Sequence, residues 1–362
     1  MSLRPSLLFR YLFRANIMLM MITLAVGIGL YLLTDLFERL DNFMGAGLTA
    51  KMVAIYFLYK IPLVVSQILP VIFLLAVVIQ LCIMARSREL VALQAGGISM
   101  GTIAALLILC GMIWSAVELG FSEVLGVMGE RESKRIWVEE VRKRDLASAV
   151  FTDVWFSDGQ WIVTLKTLRP GNDGEGFAGF ELTGDGLSMK RMIRAERFAG
   201  RAGSWTLNNV TEYVPDEYVT RTLPSMELPL RQDPTTFRMF SNDSTPQQLP
   251  IWQLGEAIDR LSSSGSNVEA LRTAWHMKLA YAVSIVAMAM IGVALVSWNS
   301  NIYMATALAL VCTFLYYAVF TMGSALGQRG ILPPAVAAWG ANALAVTLAG
   351  LRLAPLLFHK KL

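Results

Sequence analysis

Apolar residues along this chain gather into long blocks separated by short polar stretches. Positions 14 and 35 enclose 20 uncharged residues, 60 and 86 enclose 25, 89 and 118 enclose 28, 278 and 329 enclose 50, and 329 and 352 enclose 22. About 20 apolar residues cross a bilayer as a helix. The longest block exceeds one crossing, and the polar string SWNSN at 297–301 divides it into two helices joined by a tight turn. Six membrane helices are therefore predicted. The first block is longer than the roughly 7–15 apolar residues of a signal peptide, and no small-residue cleavage pattern follows it, so a permanent helix is expected there.

Between positions 118 and 278 the pattern changes from blocks to alternation. FTDVWFSDGQWIVTL places aromatic and β-branched runs on either side of Asp158-Gly159, a hairpin signal, and GFELTGDGLSM repeats the arrangement around Gly184-Asp185-Gly186. RAGSWTLNNVTEYV adds another pair, so six to nine strands of an antiparallel sandwich or barrel are expected over 151–230. The segment before this region reads as a charged helical extension of the third span, and the one after it as a proline-delimited linker with a short helix. The predicted fold class is a polytopic α-helical membrane protein with six transmembrane helices in a 3+3 arrangement around an inserted antiparallel β-domain. Its expected parts are 1–122, 123–275 and 276–362.

Composition agrees with this pattern. Of 362 residues, 55% are hydrophobic and only 16% charged, against about 25% charged in soluble domains. Charge sets the orientation, because basic residues in short loops stay on the cytoplasmic side. Arg4, Arg10 and Arg14 precede the first helix, Arg86 and Arg88 separate the second and third, and Lys360 and Lys361 end the chain. Six crossings with both termini inside satisfy all three clusters and place the β-domain outside. The net charge of +4 comes from these flanks, so no nucleic-acid partner is expected. Cys82, Cys110 and Cys312 fall within predicted spans and form neither a disulfide framework nor a metal site.

The polar segment RSRELVALQAGGIS, 86–99, has more structure than a turn requires. Ser87 is expected to cap a short helix with Glu89 in its first turn, Gly96-Gly97 to stop it, and Ser99 to cap the next span. Such a helix either rests on the lipid surface through its arginines or docks into a cytoplasmic partner. Glu89 favours docking, because a carboxylate gains nothing from an anionic membrane surface.

At these residues the chain resembles a known family. ARSRELVALQAGGIS, the N-terminal RYLFR, the proline-bearing KIPLVVSQILPVIFLL, the hairpin DVWFSDGQWIVTL and the late GILPP together resemble the LptF/LptG permeases of the lipopolysaccharide export ABC transporter, with the last two favouring LptG. The resemblance spans essentially the whole chain. It implies a multi-pass subunit of the bacterial inner membrane with a periplasmic β-jellyroll. The implied partners are a paralogous permease, a cytoplasmic ATPase dimer, a single-span periplasmic bridge protein, lipopolysaccharide and membrane lipids. It also implies a coupling helix at about 86–97, with Arg86, Ser87, Arg88, Glu89, Leu90, Leu93, Gln94, Gly96 and Gly97 as ATPase-coupling residues.

The chemistry of the chain is consistent with transport powered by a partner. No G-x-x-x-x-G-K-[ST] phosphate loop and no H-E-x-x-H occurs, so neither ATP hydrolysis nor zinc proteolysis is expected of this chain, and no cofactor is implied. The five uncharged blocks contain no carboxylate or histidine for an ion relay. Arg39 and Lys60 are candidates to meet a lipid phosphate, with snorkelling to the interface as the alternative. The resemblance implies basic residues at the outer end of the first helix, but TDLFERLD sets Asp35, Glu38 and Asp41 against Arg39 alone. Phe37, Ile68, Tyr317 and Phe320 are candidates to line an acyl-chain cavity, with helix packing as the alternative. Gly323 and Gly327 form a small-residue seam facing either a sister subunit or another helix of this chain. A rival reading is a mechanotransmission or scaffold protein that moves no substrate.

Overall fold

The computed structural model describes residues 5–142, 150–169, 171–183, 189–201, 203–215, 219–232, 249–263 and 267–358. They fall into two compact units, one drawn from Met1–Lys134 and Thr273–Leu362, the other from Arg135–Arg272. The Gly184-Asp185-Gly186 turn, the start of the linker and the C-terminal lysines lie outside the described residues.

The first unit is a helix bundle. α1 (Pro5–Ala46), α2 (Ala50–Arg86), the short α3 (Glu89–Ala95) and α4 (Met100–Phe121) precede the β-domain, and α7 (Glu269–Trp298), α8 (Ile302–Gln328) and α9 (Pro334–Phe358) follow it. Among the described residues six helices are long and apolar enough to cross a membrane. Burial divides them: 67% of the apolar window of α2 and 61% of that of α7 is buried, against 6% for α1. The bundle is thus built on α2 and α7, and α1 is left with most of its apolar surface for lipid or a partner.

Glycine sets the helix ends. After α1, α3 and α8 the chain turns through Gly47, Gly97 and Gly330, all at positive φ. In each, the amide beyond the glycine returns to the helical carbonyl five residues before it: Leu48 to Phe43, Ile98 to Leu93, and Ile331 to Leu326. This pairing satisfies carbonyls that a helix end otherwise leaves open. The predicted SWNSN break is present, with the Asn301 side chain accepting from the amides of Tyr303 and Met304 to start α8. The Gly323/Gly327 seam is internal to the chain. A Cβ at Gly323 would clash with the Ala337 carbonyl of α9, and one at Gly327 with Ala337 and Thr273.

The charged helical extension expected after the third span is present. The helix runs on through a π-helical turn at Ser122–Gly126 into α5 (Val127–Ile136) and a second π turn at Trp137–Val141. At about 100° per residue, two residues five apart on an α-helix lie about 140° apart around it. Glu118 and Glu123 are nevertheless both buried, Glu123 within the π turn. There it meets Lys278 of α7 at 2.8 Å.

The second unit holds β1 (Phe151–Asp158), β2 (Trp161–Leu168), β3 (Asp173–Leu182), β4 (Met189–Arg201), β5 (Ser204–Val214) and β6 (Val219–Leu228), followed by α6 (Ile251–Ser263). The expected antiparallel β-domain is present. Its strands pair in consecutive order, so among the described residues it is a meander, without the crossing connections of a jellyroll. The β1–β2 turn is Gly159-Gln160, one residue later than the Asp158-Gly159 signal, with Gly159 at φ 60°.

A crease crosses the whole sheet. Register pairing skips Asp153, Lys166, Gly176, Glu196, Asn209 and Pro224, one residue on each strand and each opposite the next. Asp153, Gly176 and Asn209 take positive φ there, and Pro224 has no amide to give. At the crease the alternation of buried residues changes phase: β4 buries Ile193 and Ala195 before it and Phe198 after, and β5 buries Leu207 before it and Val210 after. The bend closes the sheet's apolar face on itself. Phe156, on one side of the crease, lies 5.5 Å from Trp205 on the other, and Phe198 lies 5.6 Å from Trp205. A meander thereby makes the packed core that the alternation predicts for a sandwich. The Asp158 carboxylate accepts from the amides of Arg231 and Gln232, fastening the end of β1 to the segment that follows β6.

Candidate functional site

The segment between α2 and α4 forms the predicted short helix by a route of its own. Ser87 ends α2, and Arg88, at φ 60°, is the hinge before α3, with no side-chain cap. The expected cap at Ser87 is therefore not made, because one left-handed residue reverses the chain too sharply for its hydroxyl to reach the first free amides of α3. Ser87 Oγ donates instead to Glu89 Oε1 at 2.9 Å. At the far end the prediction holds, with Gly96-Gly97 terminating α3 and Ser99 Oγ accepting from the Thr102 amide at 3.2 Å.

α3 has no fully buried residue. Leu90 and Leu93 rest on the bundle core, as does Ile98 beyond the helix. Val91, Ala92, Gln94 and Ala95 face outward, as do Arg86, Arg88, Gly96 and Gly97. The Glu89 carboxylate turns toward α1, where Tyr11 donates to its Oε2 at 2.7 Å. Each carboxylate oxygen keeps a further acceptor site. Sequence alone gave no sign of Tyr11, which lies 78 positions away.

By letters, Gly97-Ile98-Ser99-Met100-Gly101 also fits the G-x-S-x-G hydrolase pattern. That pattern acts at a strand-to-helix turn with an exposed serine and a histidine. Here no strand precedes Ser99, and its hydroxyl is engaged with Thr102.

The lipid-phosphate candidates meet at the other end of α1. Lys60 of α2 is 6% exposed, where a surface cation was expected, and its Nζ contacts Asp35 of α1 at 2.6 Å and the Tyr56 hydroxyl at 3.2 Å. The rings of Tyr31 and Tyr56 lie 5.7 and 5.4 Å from the same ammonium. Asp35 also accepts from Arg39 at 2.9 Å, and the Arg39 side chain is 29% exposed. Two cations thus share one carboxylate, and the arginine is the one open to the outside. Burial is what redirects Lys60: a lone charge inside a bundle is costly, and Asp35 supplies its counter-charge. Phe37, on the opposite side of α1, is 68% exposed.

Ile68, Tyr317 and Phe320 are packing residues more than open lining. Ile68 and Tyr317 pack against the bundle core, and Phe320 is buried with its ring 5.9 Å from Tyr316 and 5.8 Å from Tyr281. Tyr281 donates to the Gln67 carbonyl and lies 3.1 Å from the Tyr317 hydroxyl. Nearby, Glu118 is fully buried, with no hydrogen-bond partner on either carboxylate oxygen.

In the β-domain, Glu181 accepts from Lys190 at 3.0 Å and from Arg191, which also reaches Glu212 at 3.0 Å and stacks on Trp161. Burial works against the charged form of Glu181. The bonds from Arg191 and Lys190 outweigh it and hold the carboxyl below its ordinary range.

Among the described residues no group of three or more His, Cys, Asp or Glu side chains is placed to hold a metal. A comparison with curated proteins gives no match. The family model described as lipopolysaccharide export system permease LptF/LptG matches residues 10–355.

Proposed function

Since the chain belongs to the lipopolysaccharide export system permease family LptF/LptG, a transporter family whose members are not themselves catalytic, we propose that it is the LptG-type permease subunit of an ABC transporter in the bacterial inner membrane. It extracts lipopolysaccharide and passes it to a periplasmic bridge protein. Its partners are a paralogous permease and a cytoplasmic ATPase dimer. Both termini face the cytoplasm and the β-domain faces the periplasm.

The observation that carries this reading is α3. A seven-residue helix with no fully buried residue, between two long apolar helices, presents Val91, Ala92, Gln94 and Ala95 to the outside. Its carboxylate is tied to α1 through Tyr11. Force applied by an ATPase to α3 is thereby delivered to α1, the helix with the least intrachain burial of the six. At the other end of α1 a lipid phosphate competes with Asp35 for Arg39 and then for Lys60, while Phe37 meets acyl chains. Charge-assisted bonds to phosphate are strong enough for such an exchange.

One observation favours a supporting role for the β-domain. Its interior is occupied by Phe156, Phe177, Phe198 and Trp205, so a tail passing through has to displace packed rings.

Purification of the chain in mild detergent, followed by mass spectrometry of bound proteins and lipids, tests the assembly. A cytoplasmic ATPase, a second permease and lipopolysaccharide are expected. Recovery with none of them overturns the proposal and leaves the scaffold reading. Single-cysteine labelling tests orientation: Gln160→Cys, at the exposed β1–β2 turn, should react with an impermeant reagent applied from the periplasm, and labelling of Arg88→Cys from that side would refute the topology.

A further inference from the structure

A groove of about 550 Å3 opens between α7, α8 and α9, within the ~300–1,000 Å3 of small-ligand sites. Ile291, Leu295, Leu315, Val319, Leu344 and Leu348 are among its walls. The Tyr316 hydroxyl on the same wall is already used, donating to Asn342 at 2.8 Å. Among the lining residues Arg352 is the only charged one. It sits at the end of the groove beside the α7–α8 turn, where its Nη2 donates to the Ser297 carbonyl at 3.3 Å. That long contact occupies one of the five N–H donors of a guanidinium. Trp298, 69% exposed, lies at the same end. Trp and Arg together mark the level of lipid headgroups. The groove is therefore amphiphilic along its length, with an apolar bed and a cation at the interface.

We propose that this groove binds one acyl chain of an acidic glycerophospholipid, with the lipid phosphate at Arg352. Charge complementarity selects the occupant: the walls reward a hydrocarbon tail, and the guanidinium rewards an anionic head. Crossing parity places the α7–α8 turn on the same side of the membrane as α3, because four spans separate the N-terminus from that turn and two separate it from α3. The bound lipid thus belongs to the leaflet next to α3. It braces α8 and α9 apart from any lipid being transported, and its binding does not depend on what the permease exports.

The test places a photo-crosslinking amino acid at Leu315 or Leu348 in the full chain, reconstituted in phosphatidylcholine vesicles with a minority of phosphatidylglycerol. Phosphatidylglycerol should be captured beyond its share of the bilayer. Arg352→Gln should reduce that preference about fivefold, the worth of one basic residue at an anionic surface, and Arg352→Lys should retain most of it. Leu344→Trp, which narrows the groove and leaves Arg352 in place, should lower capture of both lipids. Capture in proportion to abundance, or a preference as strong in Arg352→Gln as in the parent, overturns the proposal. In a parallel arm with lipopolysaccharide added, its capture in place of phosphatidylglycerol also overturns it and assigns the groove to the transported lipid.

Discussion

Tyr11, near the start of α1, and Glu89, the first residue of α3, are joined by a 2.7 Å hydrogen bond from phenol to carboxylate. This bond reaches from the helix that follows the N-terminus to the helix proposed to meet the ATPase. Ser87 holds the other carboxylate oxygen. Glu89 therefore has intrachain work to do, and its negative charge alone does not select docking over a lipid surface.

Substitutions separate the two roles of Glu89. Tyr11→Phe removes one exposed hydrogen bond, worth about 0.5–1.5 kcal/mol, and leaves the carboxylate in place. It should preserve ATPase association while reducing lipopolysaccharide release per ATP in reconstituted complexes. Glu89→Ala also removes whatever the carboxylate meets on the partner, at about 2–5 kcal/mol if that contact is desolvated, so association itself should fall. Arg86→Ala should have the smaller effect. If α3 only rests on anionic lipid, Arg86→Ala becomes the more damaging change. Wild-type coupling in Glu89→Ala would sink the docking mechanism.

The Asp35–Lys60 pair gives a second prediction. Breaking a buried ion pair from one side leaves an uncompensated charge, at a cost of about 3–5 kcal/mol. Asp35→Asn should lower the unfolding temperature of the detergent-solubilised protein more than Lys60→Met, because Asp35 serves two cations and Lys60 one anion. The double variant Asp35→Asn, Lys60→Met should lose less than the sum of the two single losses. Additive losses would show that the two groups are not coupled in solution.

These features differ in how far the sequence discloses them. The six spans, the SWNSN turn, the Gly96-Gly97 stop and the Ser99 cap each rest on residues within a few positions of one another, and the pattern specified them. Partners distant in the chain were invisible to it. Lys60 reads as an interface lysine until α2 packs on α1 and brings it to Asp35, 25 positions away. The helical extension beyond Glu118 is legible in its charged run, but the burial of Glu118 itself is not, because a carboxylate in a buried helix interior is rarely expected. The π turn that carries the helix onward leaves no mark in the hydrophobic pattern. The crease in the sheet was hidden for a related reason: alternation predicts which residues face inward, but a phase change repeated on six strands is legible only once their register is known.

That crease makes Gly176 and Asn209 unequal, although both have positive φ. A Cβ at Gly176 would lie 2.6 Å from the Lys166 Cβ, on the neighbouring strand and unable to yield easily. Gly176→Ala should destabilise the β-domain by about 1–3 kcal/mol through backbone strain, with the Lys166 clash in addition. Asn209→Gly relieves a strained asparagine and loses one exposed bond to Glu196 at 2.8 Å, so it should change stability by less than about 1 kcal/mol. Tryptophan fluorescence during urea unfolding of the full chain reads both. Equal losses would mean that the crease tolerates side chains alike at every strand.

The Glu181 cluster makes the β-domain sensitive to acid. Its carboxyl is held below the ordinary range, burial being outweighed by Arg191 and Lys190. A depressed carboxyl contributes stability that is fully present above its unfolded value, about 4.3, and is lost as pH falls through the lower folded value. The wild-type urea midpoint should therefore be flat near neutrality and drop in the acid range below about pH 4.3. Glu181→Gln keeps the shape of the side chain and removes its charge, leaving Arg191 with Glu212 as its partner. That variant should be less stable than wild type at neutral pH, and the gap should close as acid protonates the parent. A gap that stays constant from neutrality into the acid range would show that Glu181 acts through packing and that its charge contributes nothing to the fold.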